Sequence, residues 1–186
     1  MVVREIVTRL PAAIPAGATL VDLGCGTGAA GAAWAAAASP AVRMMGVDRH
    51  PWAVAEAGWT YRQFKLDARV RRSDVARFAL PRGRLAILAA YTLNELPDDM
   101  RGTMLARLRD RALQGDCILI VEPIARFFSP WWDRWCDELQ GIGARSDEWR
   151  VRVPLPPLVA RFDRAAGLDH RELTARSLWL GGASRS

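Results

Sequence analysis

Two acids and three glycines stand in a register that chemistry can use. Asp22 closes the apolar run that begins at Leu20, and Gly24-Cys25-Gly26-Thr27-Gly28 follows one residue later. Glycines let a backbone turn sharply and approach a ligand closely. The Ala-rich stretch from Ala29 to Ala38 reads as a helix, whose first turn offers free N–H groups. Strand, glycine loop and helix in that order predict a nucleotide-type site at the end of a parallel strand. A second acid, Asp48, ends the short apolar run Met44-Met45-Gly46-Val47 and stands twenty residues beyond Gly28. That is about the separation, roughly 20 residues, at which a ribose-binding carboxylate is expected.

Two cofactor chemistries compete for this pattern. Gly26-Thr27-Gly28-Ala29-Ala30-Gly31 matches the dinucleotide pattern G-x-G-x-x-G, a weak signal when alone. Asp22 argues against it, because a carboxylate at the strand end would repel a pyrophosphate. It suits a cofactor carrying positive charge, such as the ammonium and sulfonium groups of S-adenosylmethionine (SAM). The segment resembles the class I SAM-dependent methyltransferases, whose first motif is an acid followed by G-x-G-x-G. On that reading Asp22, Gly24, Cys25, Gly26 and Gly28 receive the carboxypropyl end, and Asp48 with Arg49 the ribose. Cys25 fits inside the loop simply because it is small.

The elements that must position these residues alternate. A helix over 2–10 precedes a strand over 18–23, a helix over 29–38 closed at Ser39-Pro40, and a strand over 42–48. Pro51 opens a helix to about Leu66, as first-turn prolines do. A short Arg-rich strand, 69–73, ends at Asp74, and Leu85 to Tyr91 is apolar throughout, as a strand buried on both faces should be. A helix from Asp98 or Asp99 to Leu113 has acids in its first turn and Met100, Met104, Leu105 and Leu108 at helical spacing. Cys117 to Val121 forms the next strand. A helix over 131–140, an extended stretch over 148–153, a helix over 156–166 and one or two strands within 168–180 complete the chain. The pattern predicts one α/β domain over 1–186, a Rossmann-like, doubly wound, mostly parallel sheet with helices on both faces. Ligands of such sheets bind at the carboxyl ends of the strands. One pocket is therefore expected from Asp22 to Gly28, Asp48 to His50, Asp74-Val75 beside the adenine, and Tyr91 to Glu95.

The fourth strand runs into Tyr91-Thr92-Leu93-Asn94-Glu95-Leu96, and the fifth into Val121-Glu122-Pro123. Here the chain is similar to the Rsm22-like family of ribosome-associated methyltransferase-like proteins, whose corresponding strands end in S-Y-x-L-x-E-L and V-E-P. The likeness spans roughly residues 18–125. Three family features are missing: the G-T-P-x-G-F continuation after V-E-P, the cysteine cluster and the N-terminal helical region. The resemblance places the 91–95 loop beside the transferred methyl. Tyr91 and Leu93 are expected on the cofactor side. Asn94 and Glu95 are the candidate catalytic pair, able to orient a nucleophile or accept its proton, or else to cap the following helix. His50, two residues after Asp48, reads as a lead-in to the helix or an adenine neighbour, and His170 as a surface residue. Trp131, Trp132 and Trp135, with Phe127-Phe128 nearby, read either as a core face or as a lid within a substrate-side insertion over 124–155.

Composition bounds the partners. The 186 residues carry a formal net charge of +6, with 25 Arg and one Lys, Lys65. Such a basic balance favours nucleic acid or another polyanion, although scattered Arg with almost no Lys also reflects coding bias. No apolar run approaches the roughly 18 residues that span a membrane. Three cysteines without C-x-x-C spacing fit a reducing, cytoplasmic setting and suggest no metal site. The reading is a cytoplasmic SAM-dependent methyltransferase acting on RNA, with rRNA or a ribosomal subunit as partner. Its rivals are a methyltransferase for a small molecule and a non-catalytic SAM-binding ribosome-assembly protein. Oligomeric state is left open.

Overall fold

The computed structural model describes residues 2–10, 14–38, 41–125, 127, 129–152, 154–168 and 172–181. His170, Phe128 and the Ser39-Pro40 helix stop lie outside these residues. The elements in chain order are α1 (Val2–Arg9), β1 (Thr19–Leu23), α2 (Ala29–Ala37), β2 (Arg43–Asp48), α3 (Pro51–Gln63), β3 (Ala68–Arg72) and β4 (Leu85–Ala90). A 3-10 turn over Leu93–Glu95 leads to α4 (Asp98–Leu113), β5 (Cys117–Glu122), α5 (Trp132–Gln140), β6 (Arg145–Arg152), α6 (Pro157–Ala165) and β7 (Glu172–Leu180).

Seven strands form one sheet in the order β3-β2-β1-β4-β5-β7-β6. The first five are parallel to their neighbours, and β7 runs antiparallel to both β5 and β6. The expected Rossmann-like architecture is therefore present. The strands that read as continuous apolar runs are those buried on both faces: β4 and β5 are central, with Ile87, Leu88, Ile118 and Leu119 fully enclosed. Strand β3 lies at the edge, where Arg69, Arg71 and Arg72 reach solvent. Charged residues on an edge strand also discourage pairing with another chain.

The period of two along each strand divides the core. Leu20, Met44, Leu88, Leu119 and Val121 face α1, α2 and α3. Val21, Leu23, Ile87, Ala89, Ile118 and Ile120 face α4 and α5. Between β3 and β4 no helix forms; Val75 and Phe78 fill that side instead. Arg107 of α4 fastens this segment by donating to the carbonyls of Ala76 and Phe78.

Within the stretch read as a lid or insertion over 124–155, α5 and β6 are parts of the sheet domain. Trp132, Trp135 and Leu139 of α5 are buried in the core layer that covers β4 and β5, and β6 pairs with β7 over eight residues. The extended reading over 148–153 covers Glu148 to Arg152 of β6, and residue 153 lies outside the described residues. The first three residues of β6, Arg145-Ser146-Asp147, lie outside that reading and are polar because β6 is the other edge of the sheet. The strands expected within 168–180 are one, β7.

Candidate functional site

The carboxyl ends of β1, β2, β3 and β4 converge on one cleft with about 410 Å³ of open space, mouth included. Gly24, Asp48, Arg49, Asp74 and Val75 line it on the expected cofactor side. Thr92, Glu95 and Leu96 line it from the loop after β4. Gly24 has φ +66, and a Cβ there would lie 2.4 Å from Thr92 Cγ2. The Thr92 hydroxyl donates to the carbonyl of Leu23 at 2.9 Å, so it stitches the glycine loop to the β4 loop. Thr92 was not singled out in the sequence, because nothing local marks a threonine that bonds a strand 69 residues away.

Asp48 is held by the chain it holds. Its Oδ2 accepts from the N–H of Gly26 at 3.0 Å, and its Oδ1 from that of His50 at 2.8 Å. A carboxylate has lone pairs beyond those two bonds and can accept from a diol. Asp74 is fixed likewise, its Oδ1 accepting from Ala76 N–H at 2.9 Å.

Asp22 is a correction. Its place at the strand end suits a cationic cofactor. It is 1% exposed and does not line the cleft. It shares the face of Leu20, beneath α2, and its Oδ2 accepts from Gly31 N–H at 3.1 Å and from the Tyr61 hydroxyl at 3.2 Å. Burial pushes its carboxyl up to about 7, against the lowering effect of those two bonds. The glycines around it serve this packing. A Cβ on Gly31 would lie 2.4 Å from Asp22 Oδ2, and one on Gly28 2.7 Å from Tyr61 Cε1. Cys25 is buried beside Tyr61 and Asp22, and burial pushes its thiol up, which disfavours the thiolate.

Beyond β4 the candidate residues separate. Tyr91 is 39% exposed with φ +56, and its N–H donates to Val121 O at 2.8 Å. Leu93 is fully buried in the core on the α4 side, so it supports the loop from below the cleft. Asn94 is half-buried, and its Oδ1 has no hydrogen-bond partner among the described residues. Glu95 is exposed and lines the cleft. Neither caps α4, whose N-cap position is Pro97 with no side-chain cap bond.

The residue that shapes this loop is Glu122, the last of β5. It is fully buried, and its Oε1 accepts from the N–H groups of Leu93 at 2.9 Å and Asn94 at 3.3 Å. Burial pushes its carboxyl up to about 7, while these backbone bonds and nearby Arg176 oppose the shift. Glu122 and Arg176 are register partners on β5 and β7. The Arg176 guanidinium lies 4.5 Å over Trp132 and donates to Ser129 O and Oγ at 2.9 and 2.7 Å. The V-E-P motif was the available signal, but it did not say what the acid holds.

Trp132 and Trp135 are 3% and 2% exposed and belong to the core, which corrects the lid reading. Trp131 is half-buried, stacked edge-on against Trp135 at 4.7 Å, with Arg101 5.3 Å from its ring. None of the three lines the cleft. An amphipathic aromatic pattern has the same spacing whether it faces a core or a ligand, and here it faces the sheet.

The donor set fits SAM: a carboxylate at the end of β2 for the ribose, Asp74 and Val75 at the end of β3 for the adenine, and a bare glycine backbone between them. Bound there, the cofactor would supply a methyl group carried on a sulfonium. A methyltransferase domain model matches residues 20–115, just over half of the sequence, and the chain belongs to that family. It is a SAM-dependent methyltransferase of class I fold. Solved structures agree on the fold. NodS, an N-methyltransferase of Bradyrhizobium japonicum crystallised with S-adenosyl-L-homocysteine, is 14% identical, with TM-score 0.62 over 97% of this chain and 86% of that one. A Pyrococcus horikoshii protein provisionally named an RNA methyltransferase is 14% identical, with TM-score 0.62 over 98% and 82%. The [4+2]-cyclase SpnF is 15% identical, with TM-score 0.63 over 98% and 81%. No match is found among curated protein sequences.

Proposed function

We propose that this methyltransferase acts on RNA in the cytoplasm, with ribosomal RNA as the specific acceptor. The observation that carries the reading is the arginine-rich edge strand that ends beside the cofactor cleft. Arg69, Arg71 and Arg72 project from edge strand β3, and Arg72 donates to the carbonyl of Arg49, which lines the cleft. None of these four takes part in an ion pair among the described residues. Guanidiniums free of ion pairs along this edge suit phosphates, which they bind bidentately. The similarity of residues 90–96 and 121–123 to the Rsm22-like family supports a ribosomal acceptor.

Asp48, Asp74 and Val75 would hold the cofactor, which would supply its methyl group to the acceptor's nucleophilic atom. The nucleophile's proton passes to the Glu95 carboxylate or to water. Positioning and exclusion of water carry most of such a reaction. The test supplies methyl-labelled SAM with protein-free ribosomal RNA at 50 and 200 mM salt. Label enters the RNA, and less at the higher salt, because arginine–phosphate contacts release counterions. Label absent from RNA but present in metabolites of an extract overturns this reading in favour of a small-molecule enzyme. SAM binding with no transfer to any acceptor points to the assembly-protein alternative.

A further inference from the structure

We infer that the outer surface of α3 and β3 is a platform for single-stranded RNA, on which unpaired bases stack. This inference rests on the RNA reading above and names the form of RNA. Trp52 and Trp59 of α3 are 59% and 54% exposed. They are seven residues apart, which is two helical turns, roughly 10 Å along one outward stripe. Phe64, just past the helix, is 58% exposed. Large aromatics in water are costly to leave bare, and these three are not called on by the core.

Cations lie on the same two elements: Arg62 on the groove wall, Arg72 on the α3 side of β3 with Val70, and Arg69 and Arg71 on the opposite face of that strand. Residues 49–72 hold six basic side chains against two acids, which is four of the chain's formal net charge of +6. A shallow groove separates α3 from β3, with Ala55, Gly58 and Arg62 on one wall and Val70 on the other. Nothing but the end of Arg62 and Val70 Cγ2 comes within 4 Å of a Cβ placed on Gly58, so the groove floor stays open. The surface continues to the cofactor mouth through Arg72 and Arg49. Aromatic faces interleaved with unpaired cations along a groove are what binds single strands: every base has a face to stack, and the backbone follows the charge. A duplex hides its base faces and would use only the cations.

The experiment measures binding of the full chain to a labelled 12-nucleotide oligoadenylate and to the matching 12-base-pair RNA duplex by anisotropy. Wild type should prefer the single strand. Trp52→Ala and Trp59→Ala should each weaken single-strand binding about tenfold. They should leave the salt slope, the duplex affinity and SAM binding unchanged. Trp52→Phe and Trp59→Phe should restore most of the loss, which a folding defect would not allow. RNA binding by wild type with no effect of either Ala variant overturns the platform and leaves the RNA reading standing. No RNA binding by wild type at low salt overturns both. Ala variants that bind RNA normally but sediment as a smaller species overturn the platform in favour of a contact between copies of this chain.

Discussion

Asp48 joins two tasks in one side chain. It fixes the glycine loop through Gly26 and the entry to α3 through His50, and it presents its remaining lone pairs to the cleft. Asp48→Ala should weaken SAM by about 1–3 kcal/mol, the usual cost of a lost bond to a charged group. Titration calorimetry checks this, and unchanged affinity would remove Asp48 from the ribose site. Glu95 is the open acid of the β4 loop, so Glu95→Gln should lower turnover by roughly 10²–10⁴ while SAM affinity and melting temperature hold. A fully active variant would leave positioning alone as the mechanism. Asp22 behaves differently. Its carboxyl is raised from 3.8 to about 7 in the folded chain, so folding favours the protonated form. The stability this confers is present below pH about 4 and is lost as pH rises through about 7. Asp22→Asn keeps an oxygen for Gly31 N–H and Tyr61 but cannot ionise. Its melting temperature should fall less between pH 5 and pH 8 than that of wild type, and superimposable profiles would refute the assignment. Glu122, raised from 4.5 to about 7, leaves a residual slope of the same sign in both proteins.

At the scale of elements, the loop after β4 is made rigid from the next strand. The β4 loop has backbone N–H groups directed into the protein, and β5 supplies their acceptor in Glu122. Glu122→Ala leaves the amides of Leu93 and Asn94 without a partner, at about 1–3 kcal/mol for each buried unsatisfied group. Those two amides should then exchange with deuterium at a rate set by local opening rather than by global unfolding. Unaltered protection would show that the loop is held by other means. Helix α5 gives the complementary case. Trp135 is core, so Trp135→Ala should cost roughly 3–5 kcal/mol of stability, the cost of a large cavity. A lid residue would instead have lowered acceptor affinity at little cost in stability, and denaturant unfolding separates the two.

On the scale of the whole molecule, the family match over 20–115 stops short of β5, β6 and β7. Strand β5 is buried along its whole length, and it depends on β7 at one edge and on α5 over one face. Strand β7 is reached only after β6 and α6, so the C-terminal third completes the sheet. A fragment ending at residue 125 should lack a cooperative melting transition, because β5 becomes an apolar open edge. A sharp transition in that fragment, followed by circular dichroism, would show that the parallel half folds without β6 and β7. The charge is also uneven at this scale. The basic flank of α3 and β3 lies at one edge of the sheet, and β6, at the other edge, pairs Arg145 with Asp147 and Arg150 with Glu172.

Much of this was legible in one dimension. The glycine loop after β1, the acid after β2, the apolar central strands and the alternation of strands with helices are local patterns, set by backbone freedom and by burial on one face or two. They define the sheet, the cleft and most of its cofactor side. What they do not contain is the direction in which a side chain meets a partner far along the chain. Asp22 looks like a ligand until Tyr61, 39 residues on, takes its oxygen beneath α2. Leu93 looks like a pocket residue until Glu122, 29 residues on, draws its backbone toward the core. Trp132 and Trp135 keep one spacing for a lid or a core, and only the docking of α5 on β4 and β5 chose between them. Burial at these positions depends on contacts between elements, and those contacts arise only when the sheet assembles.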